Sequence, residues 1–237
     1  MGNWSWLMDQ SASTVGPGID RLYFWILVIT GIVFFATELT LIWFLIKYRH
    51  VEGRKAEYIH GNTKAEIIWT AVPAVIVLSI ALASRGLWAQ IKDPAHIPPS
   101  SMRVLVTAKQ FEWNVTYPGP DGELETGDDF TVRNRLDVPV DRPVALVMRA
   151  EDVIHSFFIP ATRLKQDVVP GMDTHMWFEP TRTGEFPIGC AELCGIGHTR
   201  MRGTLTVHSA ADYQTWLNGQ LPAPAQPDSV LAAQPTP

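Results

Sequence analysis

Two long apolar stretches constrain what this chain can fold into more than any other feature. Residues 22–46 are almost uninterrupted apolar sequence, and a helix over them would be about 37 Å long at ~1.5 Å per residue. Residues 67–88 form a second stretch, which contains Pro73 and, near its end, Arg85. A membrane helix tolerates an internal proline, and an arginine near its end extends its charged head to the interface. The sequence therefore predicts two transmembrane helices.

The basic residues predict how this helix pair is oriented. The connection between the two stretches carries five Lys or Arg residues, whereas the segment before the first stretch has only Arg21. The positive-inside rule then places the connection in the cytoplasm and both termini outside. The first twenty residues lack the basic region that begins a signal peptide. We therefore predict a helix hairpin, residues 1–92, that carries an external domain.

Two acidic residues lie in or beside the predicted spans. Glu38 falls within the first span, and a carboxyl in hydrocarbon is costly, so it is expected to face protein. Glu66 lies at the cytoplasmic start of the second span. Two interpretations of Glu66 are open. It is either a solvated acid at a helix start, where the helix dipole favours a negative charge, or a functional acid.

The external domain has a different pattern. Residues 93–101 are rich in proline and predict a stiff linker. Residues 102–220 then contain short runs with β character, separated by turn signals such as 118–122, and they end in a short helix over 210–217. About 110 residues of such strands favour one antiparallel sandwich. Residues 221–237 are rich in Pro and Ala and predict a disordered tail.

The chemistry-bearing residues concentrate in one segment of twelve residues, Cys190–Met201, which holds both cysteines, a histidine and a methionine. Thiolate, imidazole and thioether are all ligands of copper. Two thiolates on one loop can bridge two metal ions, with the other ligands at each end. The segment therefore predicts a dinuclear copper centre for one-electron transfer, with Cys190, Cys194, His198 and Met201 as ligands.

Other interpretations of the same segment stay open. A disulfide between Cys190 and Cys194 suits an oxidising compartment, and two Cys with two His suit a structural zinc site. Neither one uses Met201, although a methionine is also common core filler. A further strong ligand must come from elsewhere, and chemistry alone does not choose between His155 and His175.

Five segments together resemble subunit II of the haem–copper terminal oxidases, specifically cytochrome c oxidase. The Cys190–Met201 segment is the most specific, and the others are Glu151–Pro160, Leu164–Gly171, Glu66–Pro73 and Gln110–Trp113. The resemblance implies a cupredoxin-like sandwich with a dinuclear CuA centre. It also implies a bacterial-type inner membrane, with the copper domain on the periplasmic side.

The resemblance assigns roles to residues at matching positions. It implies two bridging thiolates and two terminal imidazoles, which favours His155 over His175, and two weak ligands. These ligands are Cys190, Cys194, His155, His198, the Met201 thioether and the Glu192 carbonyl. The Glu192 side chain is implied to bind a Mg²⁺ or Mn²⁺ shared with the catalytic subunit. Glu66 is implied to lie at the mouth of a proton path into that subunit.

At the predicted site of electron entry, this chain differs from the family that it resembles. Similar chains that use soluble cytochrome c commonly carry Trp where this chain has Phe111. Trp113 follows two residues later, and strand alternation predicts that both rings share one face. We predict that electrons enter at Phe111 and Trp113, with a core role for Trp113 as the alternative. The acidic stretch 121–129 either steers a basic donor or is an ordinary solvated loop.

The predicted function is the electron-accepting subunit of a proton-pumping cytochrome c oxidase. The implied partners are the catalytic haem–copper subunit I, further oxidase subunits and a c-type cytochrome donor, soluble or within a supercomplex. The chain has no Cys-x-x-Cys-His, so it holds no c-type haem, and it has no basic stripe for nucleic acid. The alternatives are a CuA subunit of a nitric oxide reductase and a membrane-tethered copper carrier or quinol-oxidase-type subunit. The quinol-oxidase type lacks the copper ligands that this chain has.

Overall fold

The computed structural model describes residues 9–221 and places two long helices before a β domain. α1 spans Gly16–Lys47 and α2 spans Thr63–Lys92. The side chain of Asn62 caps α2 by accepting a hydrogen bond from the Ala65 N–H at 3.1 Å. Both helices extend beyond the predicted spans 22–46 and 67–88, because their polar ends continue the helical hydrogen bonding. The predicted disordered tail lies outside the described residues, except for Leu221.

Both helices are long and apolar enough to cross a membrane, and their apolar faces are exposed in this chain. Their outer ends are tied to the β domain. Ala12, just before α1, donates its N–H to the Ala161 carbonyl at 2.7 Å and accepts from the Thr181 N–H at 3.0 Å. At the end of α2, the Trp177 indole donates to the Gln90 carbonyl at 3.0 Å. The two helices therefore run antiparallel as a hairpin, with their connection away from the β domain.

The β domain contains ten strands in two five-stranded sheets. The strand order is β3-β2-β1-β5-β8 in the first sheet and β4-β10-β9-β6-β7 in the second. The strands are β1 Met102–Lys109, β2 Glu112–Tyr117, β3 Phe130–Arg133, β4 Arg135–Pro139, β5 Val144–Ala150, β6 His155–Ile159, β7 Leu164–Val168, β8 Thr174–Phe178, β9 Gly184–Cys190 and β10 Arg202–His208.

The sheets are mixed, which corrects the expectation of an antiparallel sandwich. β1 pairs with β5 in parallel, and β4 pairs with β10 in parallel, while the other pairings are antiparallel. Parallel neighbours need a long connection between them, and here the chain crosses to the other sheet before it returns. Turn signals in the sequence mark where strands end but not which strands become neighbours.

The core lies between the two sheets. Trp113, Phe157 and Leu146 are among its largest fully buried side chains. Period-two alternation along β1 and β2 buries every second residue, as the pleat requires. The final helix, α3 (Ala210–Gln220), covers one end of the core with Tyr213 and Trp216.

Candidate metal centre

Three neighbouring strands of the second sheet bring the predicted ligands to one end of the sandwich. His155 begins β6 and Cys190 ends β9, and these two strands pair with Phe157 opposite Cys190. Met201 directly precedes β10, the other neighbour of β9. The loop between β9 and β10 supplies Cys194 and His198, the latter in a short 3-10 turn. A loop held between two paired strands has both of its ends fixed, so its ligands are positioned by the rigid sheet.

The donor atoms form a symmetric set around the two thiols. The Cys190 and Cys194 Sγ atoms lie 3.8 Å apart, so no disulfide joins them. His155 Nδ1 lies 4.0 Å from Cys190 Sγ, and His198 Nδ1 lies 3.6 Å from Cys194 Sγ.

Each thiol also has one weaker donor beside it. The Glu192 carbonyl oxygen is 3.2 Å from Cys190 Sγ, and Met201 Sδ is 3.7 Å from Cys194 Sγ. Each half of the set therefore combines a thiol, an imidazole and one weak ligand. Two soft thiolates, two imidazoles and a thioether suit copper, whereas zinc has little use for the thioether.

The ligands differ in burial within each half of the site. His155, Cys194 and Met201 are buried, whereas Cys190 and His198 are half-buried. Burial, followed by the neighbouring Cys190, raises the pKa of the Cys194 thiol to about 11. The thiol is therefore protonated in the metal-free chain at neutral pH. Because metals bind the thiolate, copper uptake should release this proton and become tighter as the pH rises.

Two loop glycines give the ring of Phe111 its place against the metal loop. Gly195 has φ +132°, and a Cβ there would lie 2.6 Å from the Gln110 side chain and 3.2 Å from the Phe111 ring. A Cβ on Gly197 would lie 2.4 Å from the same ring. Neither position has space for a side chain, so the two glycines allow the aromatic ring to lie directly on the loop.

The roles of two residues that position the ligands, Asp152 and Gln110, were not predicted from the sequence. Asp152 Oδ1 lies 2.8 Å from His155 Nε2, which leaves His155 Nδ1 directed to the thiols. Asp152 Oδ2 accepts the Gln110 N–H at 2.7 Å, and the Gln110 side chain donates to the Cys194 carbonyl at 2.6 Å. These bonds connect both halves of the site. The available signals were the position of Asp152, three residues before a candidate ligand, and the presence of both residues in segments that carry the family resemblance.

Asp152 is held as a carboxylate. Burial acts to raise its pKa, but the hydrogen bonds from His155 and from the N–H groups of Gln110 and Val153 outweigh it, so the pKa is lowered. A carboxylate on the far nitrogen fixes the tautomer and orientation of a metal-binding imidazole.

Removing this carboxylate should weaken the metal site. We expect Asp152→Ala to lower copper affinity by about 10–100-fold, the usual range for such supporting groups. Asp152→Asn should restore part of the affinity, because its amide oxygen can still accept from His155. Affinity would be measured by competition with a copper chelator, with Glu151→Ala as the control in an exposed neighbour. Equal affinities in Asp152→Ala and the control would contradict this role.

The structure changes the prediction for Trp113. Its side chain is 0% exposed, and it packs edge-on against the rings of His155 and Phe157, with centroids 6.0 and 4.9 Å away. A buried ring cannot contact a donor protein, so the structure supports the core role that was the alternative for Trp113. Phe111 lies in the turn between β1 and β2 rather than in a strand, so strand alternation does not put the two rings on one face. The half-buried Phe111 remains the candidate.

The remaining predicted residues lie apart from the thiols. His175 is on β8 of the other sheet, away from the ligands, so His155 completes the set. The Glu192 side chain is exposed next to the metal loop. Glu66 is in the first turn of α2, at the end far from the β domain. The roles of the Glu192 side chain and of Glu66 stay predictions.

The fold and the donor set define a class of protein: a copper-binding two-sheet sandwich carried on a pair of membrane helices. Sequence models agree with this class in both parts of the chain. Residues 101–208 match the periplasmic domain of cytochrome c oxidase subunit II, and residues 2–87 match its transmembrane domain. The chain belongs to the cytochrome c oxidase subunit II family.

Individual relatives cover nearly the whole chain. The alternative cytochrome c oxidase subunit 2 of Bradyrhizobium diazoefficiens is 34% identical over 242 residues, which cover 92% of this chain and 81% of the relative. The cytochrome c oxidase subunit 2 of Synechocystis is 31% identical over 266 residues, covering 93% and 77%. The solved periplasmic domain of subunit II of cytochrome oxidase from Bradyrhizobium japonicum is 27% identical, with a TM-score of 0.47, and covers 52% of this chain and 96% of that domain.

Membership of this family confirms the predicted fold class of two membrane helices and a cupredoxin-like sandwich. The protein is a membrane protein with an extracellular domain and a subunit of a haem–copper oxidase complex. The family binds copper of the CuA type, and the donor set of this chain fits that metal.

Proposed function

We propose that this chain accepts electrons from a c-type cytochrome at a dinuclear copper site and passes them to haem in the catalytic subunit, where O₂ is reduced to water. One observation carries the proposal. The two thiols lie 3.8 Å apart, and each has its own imidazole and its own weak donor. A set of this kind suits two metal ions rather than one. The relatives reported above are cytochrome c oxidase subunits, and nothing in the structure favours the nitric oxide reductase alternative.

The residues of the chain supply a rigid and partly dry ligand set. The thiolates of Cys190 and Cys194 and the imidazoles of His155 and His198 would hold the two coppers, and the bound pair would supply one-electron redox chemistry. Paired strands fix both ends of the loop, and Asp152 fixes one imidazole. Ligands that are already in place move little when charge changes, so the reorganisation energy is small. The thioether of Met201 and the carbonyl of Glu192 are weak donors that tune the reduction potential.

Electrons are proposed to enter at Phe111. Its ring lies on the glycines of the metal loop, and the same loop exposes Leu193 and Ile196 to solvent. These side chains offer an apolar contact to the exposed haem edge of a donor. The aromatic ring then shortens the distance between that edge and the ligands.

We propose that Glu192 links copper to a second, harder cation shared with the catalytic subunit. Its carbonyl faces Cys190, while its carboxylate is exposed, and carboxylate oxygens suit Mg²⁺ and Mn²⁺. Glu192→Gln should weaken Mn²⁺ binding in the assembled complex and leave the copper spectrum almost unchanged, because the carbonyl is retained. Both would be followed by electron paramagnetic resonance. Loss of copper in this variant would show that the carboxylate itself binds copper.

Glu66 is proposed to serve proton uptake from the cytoplasm. It lies in the first turn of α2, at the end where the basic connection predicts the cytoplasmic surface. Glu66→Ala should slow steady-state turnover without altering the copper content or the rate of copper reduction, because the copper site is at the opposite end of the helices. Glu57→Ala, in the same connection, is the control. Equal turnover in both variants would return Glu66 to an ordinary acid at a helix start.

The complex is proposed to lie in a bacterial-type inner membrane, with the copper domain on the periplasmic side. The partners are the catalytic haem–copper subunit I, further oxidase subunits and a cytochrome that is soluble or held in a supercomplex. The direct test is whether the purified complex oxidises a reduced c-type cytochrome with consumption of O₂. Consumption of NO instead of O₂ would overturn the proposal in favour of the alternative.

A further inference from the structure

A groove crosses the outer face of the first sheet, away from the metal centre. It consists of two adjoining cavities of about 330 and 340 Å³, and both are lined by Arg103, Val147 and His175. The strand register explains this arrangement. Arg103 pairs with Ala145, Leu105 pairs with Val147, and Val147 pairs with His175, so their side chains share the outer face.

The first half of the groove is apolar and lies next to the membrane helices. Its wall is the proline-rich segment that follows α2, including Pro94, Ile97 and Pro99. Ala145, at this end of the groove, pairs with Trp177, and Trp177 contacts Gln90 of α2. This half therefore opens beside the outer end of a predicted membrane span.

The second half is polar and lies further from the helices. Glu123, Glu125 and Asp173 line it together with the guanidinium of Arg149, and Arg103 borders it at the junction with the first half. Arg149 forms ion pairs with Glu125 and Asp173, the latter through two hydrogen bonds of 2.5 and 2.9 Å. The Glu123 carboxylate has no ion-pair partner among residues 9–221. The three carboxylates outnumber the two guanidiniums, those of Arg149 and of Arg103 at the junction, so this half has a net negative charge.

The junction of the two halves is cationic. Arg103 is exposed and makes no side-chain hydrogen bond or ion pair within the described part of the chain, and His175 lies beside it on the same face. From the membrane outward, the groove is thus apolar, then cationic, then anionic. The matching ligand is apolar, then anionic, then cationic along its length, and it is available at a bilayer surface.

We propose that this groove binds a phospholipid of the outer leaflet whose headgroup carries a phosphate and a primary amine, a phosphatidylethanolamine. The phosphate accepts charge-assisted hydrogen bonds from Arg103 and His175. The ammonium donates to the carboxylates of the polar half, and the glycerol with the upper acyl carbons occupies the apolar half. A choline headgroup lacks the N–H donors for the carboxylates, and an anionic headgroup leaves them without a cation.

The test uses the full chain in nanodiscs that contain phosphatidylcholine and a phosphatidylethanolamine with a photoreactive upper acyl chain. Cross-links are expected on residues 94–103 and 145–147. Arg103→Glu should lower their yield at least about tenfold, because a side chain that attracts the phosphate is replaced by one that repels it. Glu123→Gln should lower the yield for phosphatidylethanolamine but not for a matched phosphatidylglycerol probe. Arg133→Gln, in an exposed arginine of the same sheet outside the groove, should change neither.

The same nanodiscs give the results that would overturn the proposal. Equal labelling by ethanolamine, choline and glycerol headgroups would show that the groove does not recognise the primary amine. Unchanged labelling in both Arg103→Glu and His175→Gln would show that these two side chains do not bind the phosphate. Absence of labelling in the intact complex would show that another subunit covers the groove. Because the altered side chains face solvent, the far-ultraviolet circular dichroism of the variants should match that of the parent chain, and copper content serves as an independent check.

Discussion

Replacing either Cys190 or Cys194 with serine should abolish the mixed-valence copper signal of the full chain. A pair of coppers that shares one electron gives a seven-line hyperfine pattern in electron paramagnetic resonance. The two sulfur atoms are 3.8 Å apart, and each lies beside its own imidazole. Serine keeps the size of the side chain but replaces the soft sulfur with a hard, weakly acidic oxygen. The bridge is then incomplete, and the remaining ligands suit one copper.

Met201→Leu is the matched control for the cysteine variants. Met201 is buried, and its sulfur lies 3.7 Å from Cys194 Sγ as a weak donor. Leucine fills the same space without the sulfur, so the seven-line pattern should persist while the reduction potential shifts. A four-line pattern in the parent chain, or stoichiometric zinc without copper, would refute the dinuclear site.

Trp113→Ala should have the largest effect on stability among the residues around the metal site. The side chain is fully buried between His155 and Phe157, so its removal leaves a large cavity. Truncation of such a residue costs about 3–5 kcal/mol in the free energy of unfolding. The cavity also removes the ring against which His155 packs. Denaturant unfolding of the metal-free chain in detergent, followed by near-ultraviolet circular dichroism, would measure the loss.

Trp113→Phe distinguishes the contribution of ring packing to stability from the cost of the buried indole N–H. The Trp113 Nε1 atom is buried without a hydrogen-bond partner in the described structure, and phenylalanine removes this unsatisfied donor while it keeps an aromatic ring. We therefore expect a much smaller loss of stability than in Trp113→Ala. An unchanged unfolding midpoint in Trp113→Ala would contradict the core role of this residue.

Phe111→Ala should affect electron transfer more than stability, in contrast to Trp113→Ala. The ring is half-buried and its loss should cost about 1–1.5 kcal/mol, less than the loss of Trp113. The rate of electron transfer within the bound donor complex, measured by flash photolysis, should nevertheless fall, because the ring covers the metal loop. An unchanged transfer rate would place the site of electron acceptance elsewhere on this surface.

The sequence by itself determined the features that depend on neighbouring residues. Uninterrupted apolar runs predicted both membrane helices, because a span needs only length and composition. The Cys190–Met201 segment predicted most of the copper ligands, because one short loop holds them at fixed spacing. The family resemblance added His155 and the cupredoxin-like fold.

Tertiary structure decided what depends on residues far apart in the sequence. The chemistry of the two residues left His155 and His175 equivalent, and in the structure the assignment of β6 and β8 to different sheets separates them. Trp113 and Phe111 differ in burial because one is in a strand and the other in a turn. The hydrogen bonds of Asp152 and Gln110 join segments about forty and eighty residues apart. Such contacts form only when sheet pairing has fixed the backbone, and a local pattern of residue types carries no record of that pairing.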